Sequence, residues 1–253
     1  MGNAARKLLG LLWGLYAWTI FAIVSLCTTL IVAVLPGLNP RRRVARAGAR
    51  LIFFATGIDL TVIELGALPP QACVVVANHA SYLDGVILTA ALPPSFSFVI
   101  KREITAVPLA HLLLRRLGSE FVERFDRHRG ATDARRIMRK AHDGEALVFF
   151  PEGTFRAEPG LMRFRTGAFA AAARSGLPVV PVVIRGARRI LPAKRWLPRR
   201  DSLQVIITPP IDLTDQGPAH KAGTLLSLSR ERMLEHLEEP DGGTPSEHDK
   251  GPP

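Results

Sequence analysis

The sequence predicts an α/β domain with a mixed, mostly parallel central sheet flanked by helices, preceded by an N-terminal hydrophobic membrane helix. Short β-branched runs alternate with stretches of helical periodicity along the body of the chain, which is the pattern of βαβ units. The chain has 253 residues, 47% of them hydrophobic, enough for one domain with a sizeable core. The third observation is a segment without charged residues from Leu8 to Pro40.

The apolar segment from Leu8 to Leu35 predicts a retained membrane anchor. As a helix it would reach about 40 Å, which exceeds the roughly 30 Å hydrocarbon core of a bilayer. The alternative, a secretory signal peptide, has a shorter apolar region. Arg6 and Lys7 precede the segment and five arginines follow it between residues 41 and 50, so the body should lie on the cytoplasmic face of the inner membrane. Both a spanning helix and one that folds back within a leaflet fit this pattern.

The chain divides into a membrane anchor with a basic amphipathic helix on the membrane surface (1–57), an α/β domain (58–238) and a polar, disordered tail (239–253). Within the domain, β-branched and apolar runs predict strands at 58–65, 72–78, 96–101, 120–122, 146–149, 177–186 and 202–210. Helical periodicity predicts helices at 81–92, 108–117, 132–142, 167–174 and 219–238.

The charge of the chain indicates its kind of partner, and its two cysteines bear on whether it has a metal site. The net charge of +11 favours anionic partners, and ten basic residues without an acidic one lie between residues 159 and 200. We interpret that stretch as a contact with an anionic membrane surface; a solvated face and a site for the phosphates of coenzyme A are the alternatives. No nucleic-acid-binding motif is present. Cys27 and Cys73 lie in apolar runs without metal-ligand spacing, which predicts buried thiols and no metal site.

His79 and Asp84, in VVVANHASYLDG, are the first candidate catalytic pair. Residues five apart do not share one face of a helix, so the two side chains meet only if His79 precedes the helix that carries Asp84. Ser81 as N-cap and a helix from Tyr82 would give that arrangement at the carboxyl end of a buried strand, where α/β proteins bind ligands. A carboxylate on Nδ1 would make Nε2 a general base. Spacing alone also fits a polar turn, and Ser81 as a nucleophile lacks the GxSxG context.

Four blocks together are more specific: NHASYLD, KRE at 101–103 with Arg124, FPEGT, and LPVVPVVIRG. In order and spacing, over residues 74–210, they resemble the glycerolipid acyltransferases, the family of 1-acylglycerol-3-phosphate (lysophosphatidate) acyltransferases. The resemblance implies direct acyl transfer from a thioester to a lysolipid hydroxyl, with His79 as base, Asp84 as its partner, and no cofactor or metal. It also implies a set of substrate-binding residues: Lys101, Arg102, Arg124, Glu152, Gly153, Thr154 and Arg156.

One position departs from the family pattern. The residue after EGT is usually an arginine that contacts the acceptor's phosphate, but here it is Phe155, and an arginine follows at Arg156. The resemblance implies lysophosphatidate as acceptor, and Phe155 motivates the alternative, another lysophospholipid or an amino-acid-containing lysolipid. The expected partners are acyl-CoA or acyl carrier protein as donor, the lysolipid, and the anionic membrane surface. The alternative from another class is a non-catalytic basic protein that binds membranes or nucleic acid.

Overall fold

The three-dimensional structure is a computed structural model that describes residues 3–66, 68–123, 127–213 and 218–242. Its helices are α1 (Asn3–Val34), α2 (Leu38–Thr56), α3 (Asp84–Ala91), α4 (Pro108–Arg116), α5 (Arg127–His142), α6 (Gly167–Ser175), α7 (Ala187–Ile190) and α8 (Pro218–His236). Its strands are β1 (Leu60–Glu64), β2 (Val74–Ala77), β3 (Ser97–Lys101), β4 (Glu120–Val122), β5 (Leu147–Phe149), β6 (Val179–Arg185) and β7 (Leu203–Ile207). A 3₁₀ turn spans Arg102–Ala106.

The strands form one seven-stranded sheet in the order β1-β7-β6-β2-β5-β3-β4. Among the described strands, five neighbouring pairs are parallel and the pair of β6 and β7 is antiparallel. This confirms the predicted mixed, mostly parallel sheet. The chain leaves β2 toward β3 on one side and leaves β5 past β2 toward β6 on the other. The loops after β2 and β5 therefore diverge at a topological switch point.

Strand β2 is covered on both faces, which explains its lack of polar alternation. Val75 and Ala77 belong to the core cluster shared with α2 and α3. Val74 and Val76 belong to the cluster shared with α6 and α8. A parallel strand between two helical layers must be apolar on both sides, so the VVVA run positions the residues that follow it at the centre of the sheet edge.

Helix α3 begins at Asp84, two residues after the predicted start at Tyr82. The reason is local, because the Asp84 carboxylate accepts hydrogen bonds from the backbone N–H groups of Ala80 and Ser81, at 2.6 and 2.9 Å. These bonds hold the preceding segment in a non-helical turn. The histidine that precedes the turn is thereby kept outside the helix.

The N-terminal helices are part of the fold and not a separate anchor domain. Ala49 and Phe53 of α2 lie in the core cluster on one face of the sheet, and Trp13 and Trp18 of α1 pack against it. Helix α1 is the one described helix long and apolar enough to cross a membrane, with a mean hydropathy of 2.3 and 22% of its most apolar window buried. The structure therefore confirms an N-terminal apolar helix and shows that one of its sides contacts the protein body.

Three arginines of α2, the helix predicted to lie on the membrane surface, bind the protein itself. Arg46 and Arg50 donate to the carbonyls of Ala90 and Ala91 at the end of α3. Arg42 is buried and donates to carbonyls in the loops that precede β3 and β4. Carbonyls in the last turn of a helix lack intrahelical partners and carry partial negative charge, so guanidinium groups stabilise them.

The predicted disordered tail begins too early. Glu239 accepts the Gly160 N–H at 2.8 Å and forms an ion pair with Arg188. Leu161 donates its N–H to the Pro240 carbonyl at 2.9 Å. The domain therefore extends at least to residue 242, and residues 243–253 lie outside the described part of the chain.

Candidate active site

The carboxyl ends of three parallel strands bring the candidate residues to one edge of the sheet. His79 follows β2, Lys101 ends β3, and Phe150 follows β5. Asn78 fixes the end of β2, because its side-chain amide pairs with both backbone groups of Ile184 at 3.0 and 2.7 Å. The position of His79 is therefore set by two neighbouring strands rather than by its loop alone.

His79 and Asp84 have the geometry that the catalytic hypothesis requires. His79 Nδ1 lies 2.7 Å from Asp84 Oδ2, while the His79 side chain is 20% exposed and that of Asp84 is 0% exposed. A carboxylate accepts hydrogen bonds only, so the imidazole proton lies on Nδ1 and the lone pair on Nε2. No group among the described residues hydrogen-bonds Nε2. This nitrogen is available to a substrate hydroxyl.

The alternative nucleophile, Ser81, is occupied by structural contacts. Its hydroxyl donates to the Leu191 carbonyl at 2.7 Å and accepts the Leu83 N–H at 3.1 Å. The side chain is fully buried and ties the turn to the loop after α7. Ser81 therefore supports the position of His79 and does not present a free nucleophile.

Glu152 lies beneath the site and joins two loops. Its carboxylate accepts the His79 N–H at 2.6 Å and the Met162 N–H at 2.7 Å. The pKa of Glu152 is raised to about 7: burial is the main cause and the nearby Asp84 carboxylate adds to it, while the two N–H donors and Arg188 act in the opposite direction. Since the side chain is 4% exposed, it positions the backbone of His79 rather than meeting a ligand.

We expect Glu152 to make folding stability depend on pH. Its pKa is higher in the folded protein than its ordinary value of 4.5, so the folded state binds this proton more tightly. The resulting stabilisation is complete below about pH 4.5 and is lost as pH rises through about 7. The free energy of unfolding should fall by about 3 kcal/mol across that window from this group. Unfolding in detergent at several pH values measures the slope, which should be shallower in Glu152→Gln; an equal slope in both proteins would contradict the assignment.

His79 also lines a cavity of about 680 Å³. Its walls come from α1, α2, α3, β3 and α4, together with the loop after β5. Most of the lining side chains are apolar, and Gly85, Val86 and Thr89 contribute one wall from α3. The volume is in the range of sites for small ligands. An apolar cavity next to a histidine base fits a ligand with a long hydrocarbon part.

Three aromatic residues complete the surroundings of His79, and sequence reasoning gave none of them a role near it. The imidazole lies between Phe150 and Phe155, with each ring centroid 4.5 Å away. Tyr82 contacts the edge of Phe155 at 4.8 Å. The apolar residue directly after EGT was the one feature of the sequence that could have indicated an aromatic contact with His79. This packing holds the imidazole plane and gives the site an apolar rim.

The structure divides the predicted substrate-binding residues into three groups. Lys101, Gly153 and Thr154 line the cavity with His79. Arg102 and Arg156 do not line it: Arg102 pairs with Asp133 at 3.0 Å, and the guanidinium of Arg156 lies against Gly242. Each arginine thus lies against a group that is distant in sequence, which spacing does not reveal. Glu152 belongs to the scaffold, and Arg124 lies outside the described residues.

The two cysteines and the possible metal ligands lie as follows in the described part of the chain. Burial raises the pKa of Cys73 to about 12, as expected of an inert core thiol. Cys27 is exposed on α1, so its predicted burial is wrong. No group of three or more histidine, cysteine or acidic side chains within the described ranges could hold a metal ion.

The fold and the site define an α/β protein with a His–Asp pair beside an apolar cavity, the arrangement expected of an acyl-transfer protein. The family model named Acyltransferase matches residues 59–185, half of the chain, and the chain belongs to this family of glycerolipid acyltransferases. It is similar to a chloroplastic 1-acyl-sn-glycerol-3-phosphate acyltransferase of Brassica napus, with 33% identity over 65% of this chain and 46% of the relative. It is also similar to mouse lysophosphatidylcholine acyltransferase 2, with 34% identity over 68% of this chain and 32% of the relative.

The chain thus spans less than half of the length of these two relatives. Among solved structures it resembles the 1-acyl-sn-glycerophosphate acyltransferase PlsC of Thermotoga maritima, with a TM-score of 0.75. That likeness covers 91% of this chain and 97% of the other chain. Because the sequence identity is 21%, it supports the fold only.

Proposed function

We propose that this protein is a membrane-bound O-acyltransferase that moves a fatty acyl group from an acyl thioester to the free hydroxyl of 1-acylglycerol 3-phosphate. The observation that carries the proposal is the His79–Asp84 pair, joined at 2.7 Å, on the wall of a large apolar cavity. A non-catalytic protein that binds membranes or nucleic acid has no use for a buried carboxylate that orients an accessible imidazole.

The proposed reaction needs no covalent enzyme intermediate. His79 Nε2 accepts the proton of the lysolipid hydroxyl as its oxygen attacks the thioester carbonyl carbon. Asp84 stabilises the imidazolium that forms. The tetrahedral intermediate collapses with cleavage of the C–S bond, and the imidazolium returns its proton to the departing thiolate. The products are an ester and a free thiol, and the histidine is regenerated.

We assign the cavity to the acyl chain of the donor. Gly85, in the first turn of α3, lines the cavity with His79, and a Cβ atom built there meets no atom within 4 Å. The chain therefore presents a position at which a side chain would grow into the cavity without displacing neighbours. This makes the length of the available space adjustable by one substitution.

We expect Gly85→Leu to reduce kcat/KM for palmitoyl-CoA about 10- to 100-fold, because overpacking the cavity opposes the long chain. Octanoyl-CoA should be much less affected. Gly85→Ala is the matched control, since its methyl group fills little space and alanine favours the helix. Equal losses with the two donors, or a change only with the acceptor's chain length, would refute the assignment.

We propose that α1 lies in one leaflet rather than spanning the bilayer. Trp13 donates to the Thr56 carbonyl, and Arg116 of α4 donates to the Ala33 carbonyl near the other end of α1. The contacts thus extend along roughly 30 Å of helix, as much as the hydrocarbon core is thick. Large apolar side chains are exposed on α1 (Leu8, Leu12, Ile23, Leu30), on α2 (Leu51, Phe54) and on α4 (Leu109, Leu112). Exposed apolar side chains on three helices of a basic protein fit monotopic attachment to the cytoplasmic surface of the membrane.

The acceptor is the finer part of the proposal. Phe155 at the usual arginine position, together with the similarity to mouse lysophosphatidylcholine acyltransferase 2, favours another lysophospholipid as the second candidate. Purified protein with acyl-CoA and a panel of lysolipids that differ only in head group tests both. Lysophosphatidate should give the highest kcat/KM. A higher kcat/KM with a choline head group would show that lysophosphatidylcholine is the acceptor. No transfer to any lysolipid would refute the proposed function. Acyl carrier protein as donor is compared in the same assay.

A further inference from the structure

A second groove, of about 460 Å³, lies between α1 and the loop after α7. Its walls are Trp18, Tyr82, Leu191, Lys194, Arg195 and Trp196. Tyr82 lines both this groove and the cavity that contains His79, and Ala193 faces the cavity. The loop of residues 191–196 therefore forms the wall between the proposed acyl-transfer site and the groove.

This loop is held from two sides. Ser81, in the turn after His79, donates to the Leu191 carbonyl at 2.7 Å, and Trp18 of α1 donates to the Trp196 carbonyl at 2.6 Å. Between these anchors, Lys194 has a φ of 65°, and it is the one non-glycine residue with positive φ in the described part of the chain. A left-handed backbone at a lysine persists where its surroundings fix it, and such positions cluster at ligand sites.

The charges of the groove are not neutralised by the protein. Three of the other eight cations of the basic stretch are paired: Arg185 with Glu238, Arg188 with Glu239 and Arg189 with Asp201. Within the described ranges no carboxylate forms an ion pair with Lys194 or Arg195. Burial lowers the pKa of Arg195, and the nearby positive charge of Arg199 lowers it further. Two unpaired cations beside two indole rings at a membrane-facing helix attract an anion that is attached to a lipid.

The arginine that would normally serve the acceptor's phosphate is absent from the cavity. Phe155 packs on His79 and Tyr82, and Arg156 turns toward Gly242. Tyr82 separates this aromatic rim from the groove, so a lysolipid with its hydroxyl near His79 can place its head group on the other side of Tyr82.

We propose that the groove of Lys194 and Arg195 binds the phosphate of the lysolipid acceptor and replaces the missing arginine. This inference rests on the proposed function and names the residues that select its substrate. Lys194 and Arg195 supply the charge, and Trp18 and Trp196 hold the adjoining glycerol region at the membrane interface. The phosphates of an acyl-CoA donor have the same chemistry and are the competing source.

The test measures equilibrium binding to the His79→Ala protein, so that it does not depend on turnover. Lysophosphatidate, a monoacylglycerol of the same chain length and acyl-CoA are the three probes. Lys194→Gln/Arg195→Gln should weaken lysophosphatidate binding about 10- to 100-fold and leave monoacylglycerol and acyl-CoA nearly unchanged. The matched control is Arg135→Gln/Arg139→Gln on α5, two exposed arginines whose loss changes net charge equally.

Three results would overturn the proposal. Unchanged binding of lysophosphatidate would show that the groove does not hold its phosphate. Weaker binding of acyl-CoA alone would assign the phosphate to the donor. An equal loss of lysophosphatidate affinity in the control variant would show that the effect comes from the change in net charge and not from the groove. Failure of the proposed function is a separate result, since it would be the absence of acyl transfer by the unsubstituted protein to every lysolipid.

Discussion

His79→Ala should lower kcat for acyl transfer by about 10³-fold or more while the protein stays folded and bound to membranes. The substitution removes the base that takes the proton of the acceptor hydroxyl. It leaves the scaffold satisfied, because Asp84 Oδ2 still accepts the N–H groups of Ala80 and Ser81. Steady-state kinetics with purified protein measure the loss, and vesicle flotation measures membrane binding.

The matched control for this substitution is His236→Ala. His236 ends α8, and its backbone carbonyl accepts a hydrogen bond from Arg185, while its side chain has no hydrogen-bond partner among the described residues. Its replacement should leave kcat within about threefold of the unsubstituted protein. Full transferase activity in His79→Ala would show that the base lies elsewhere, and loss of folding in that variant would show that His79 is structural.

Asp84→Asn should lower kcat by about 10²- to 10⁴-fold with little change in KM. The asparagine oxygen can still accept the Ala80 and Ser81 N–H groups, so the turn is preserved. The negative charge that stabilises the imidazolium is lost, and this charge acts only when His79 has taken the proton. Asp84 is fully buried, its Oδ1 has no partner among the described residues, and His79 is the one side chain that pairs with its Oδ2 there.

An aspartate-to-asparagine substitution at the surface is the matched control, because it removes the same charge away from the proposed catalytic pair. Asp201 pairs with Arg189 in a solvent-exposed ion pair, which typically contributes less than about 1 kcal/mol. Asp201→Asn should therefore retain activity. If Asp84→Asn lost activity only in proportion to its folded fraction, with KM and kcat of the folded protein intact, Asp84 would be a structural residue.

The sequence predicted the parts of the site that depend on local pattern. The apolar run of β2 predicted a strand covered on both faces, and that strand is buried on both sides. The spacing of His79 and Asp84 required a turn followed by a helix, and the structure has both, with the helix start moved to Asp84. Local pattern could not predict that Glu152 accepts the His79 N–H, because the two residues are 73 apart in the chain.

The contacts of the arginines also show which features local pattern can predict and which depend on long-range contacts. Arg102 and Arg156 lie beside family motifs, and the resemblance to the family implied that they contact substrate. In the structure Arg102 pairs with Asp133 and Arg156 lies against Gly242, whereas Lys194 and Arg195 line the groove beside α1. Whether a cation is paired depends on carboxylates far away in the sequence, so only the folded chain decides which cations remain for a ligand.

By itself, the sequence determined the α/β class, the N-terminal apolar helix, the His–Asp pair and the replacement of the usual arginine by Phe155. The first three features follow from residue identity and short-range periodicity, and the last follows from the resemblance to the family. The tertiary structure decided the sheet order, the packing of α1 and α2 on the domain, the cavity and the basic groove. Each of these is formed by segments brought together by burial of apolar surface, and long-range contacts of that kind leave no periodic pattern in the chain.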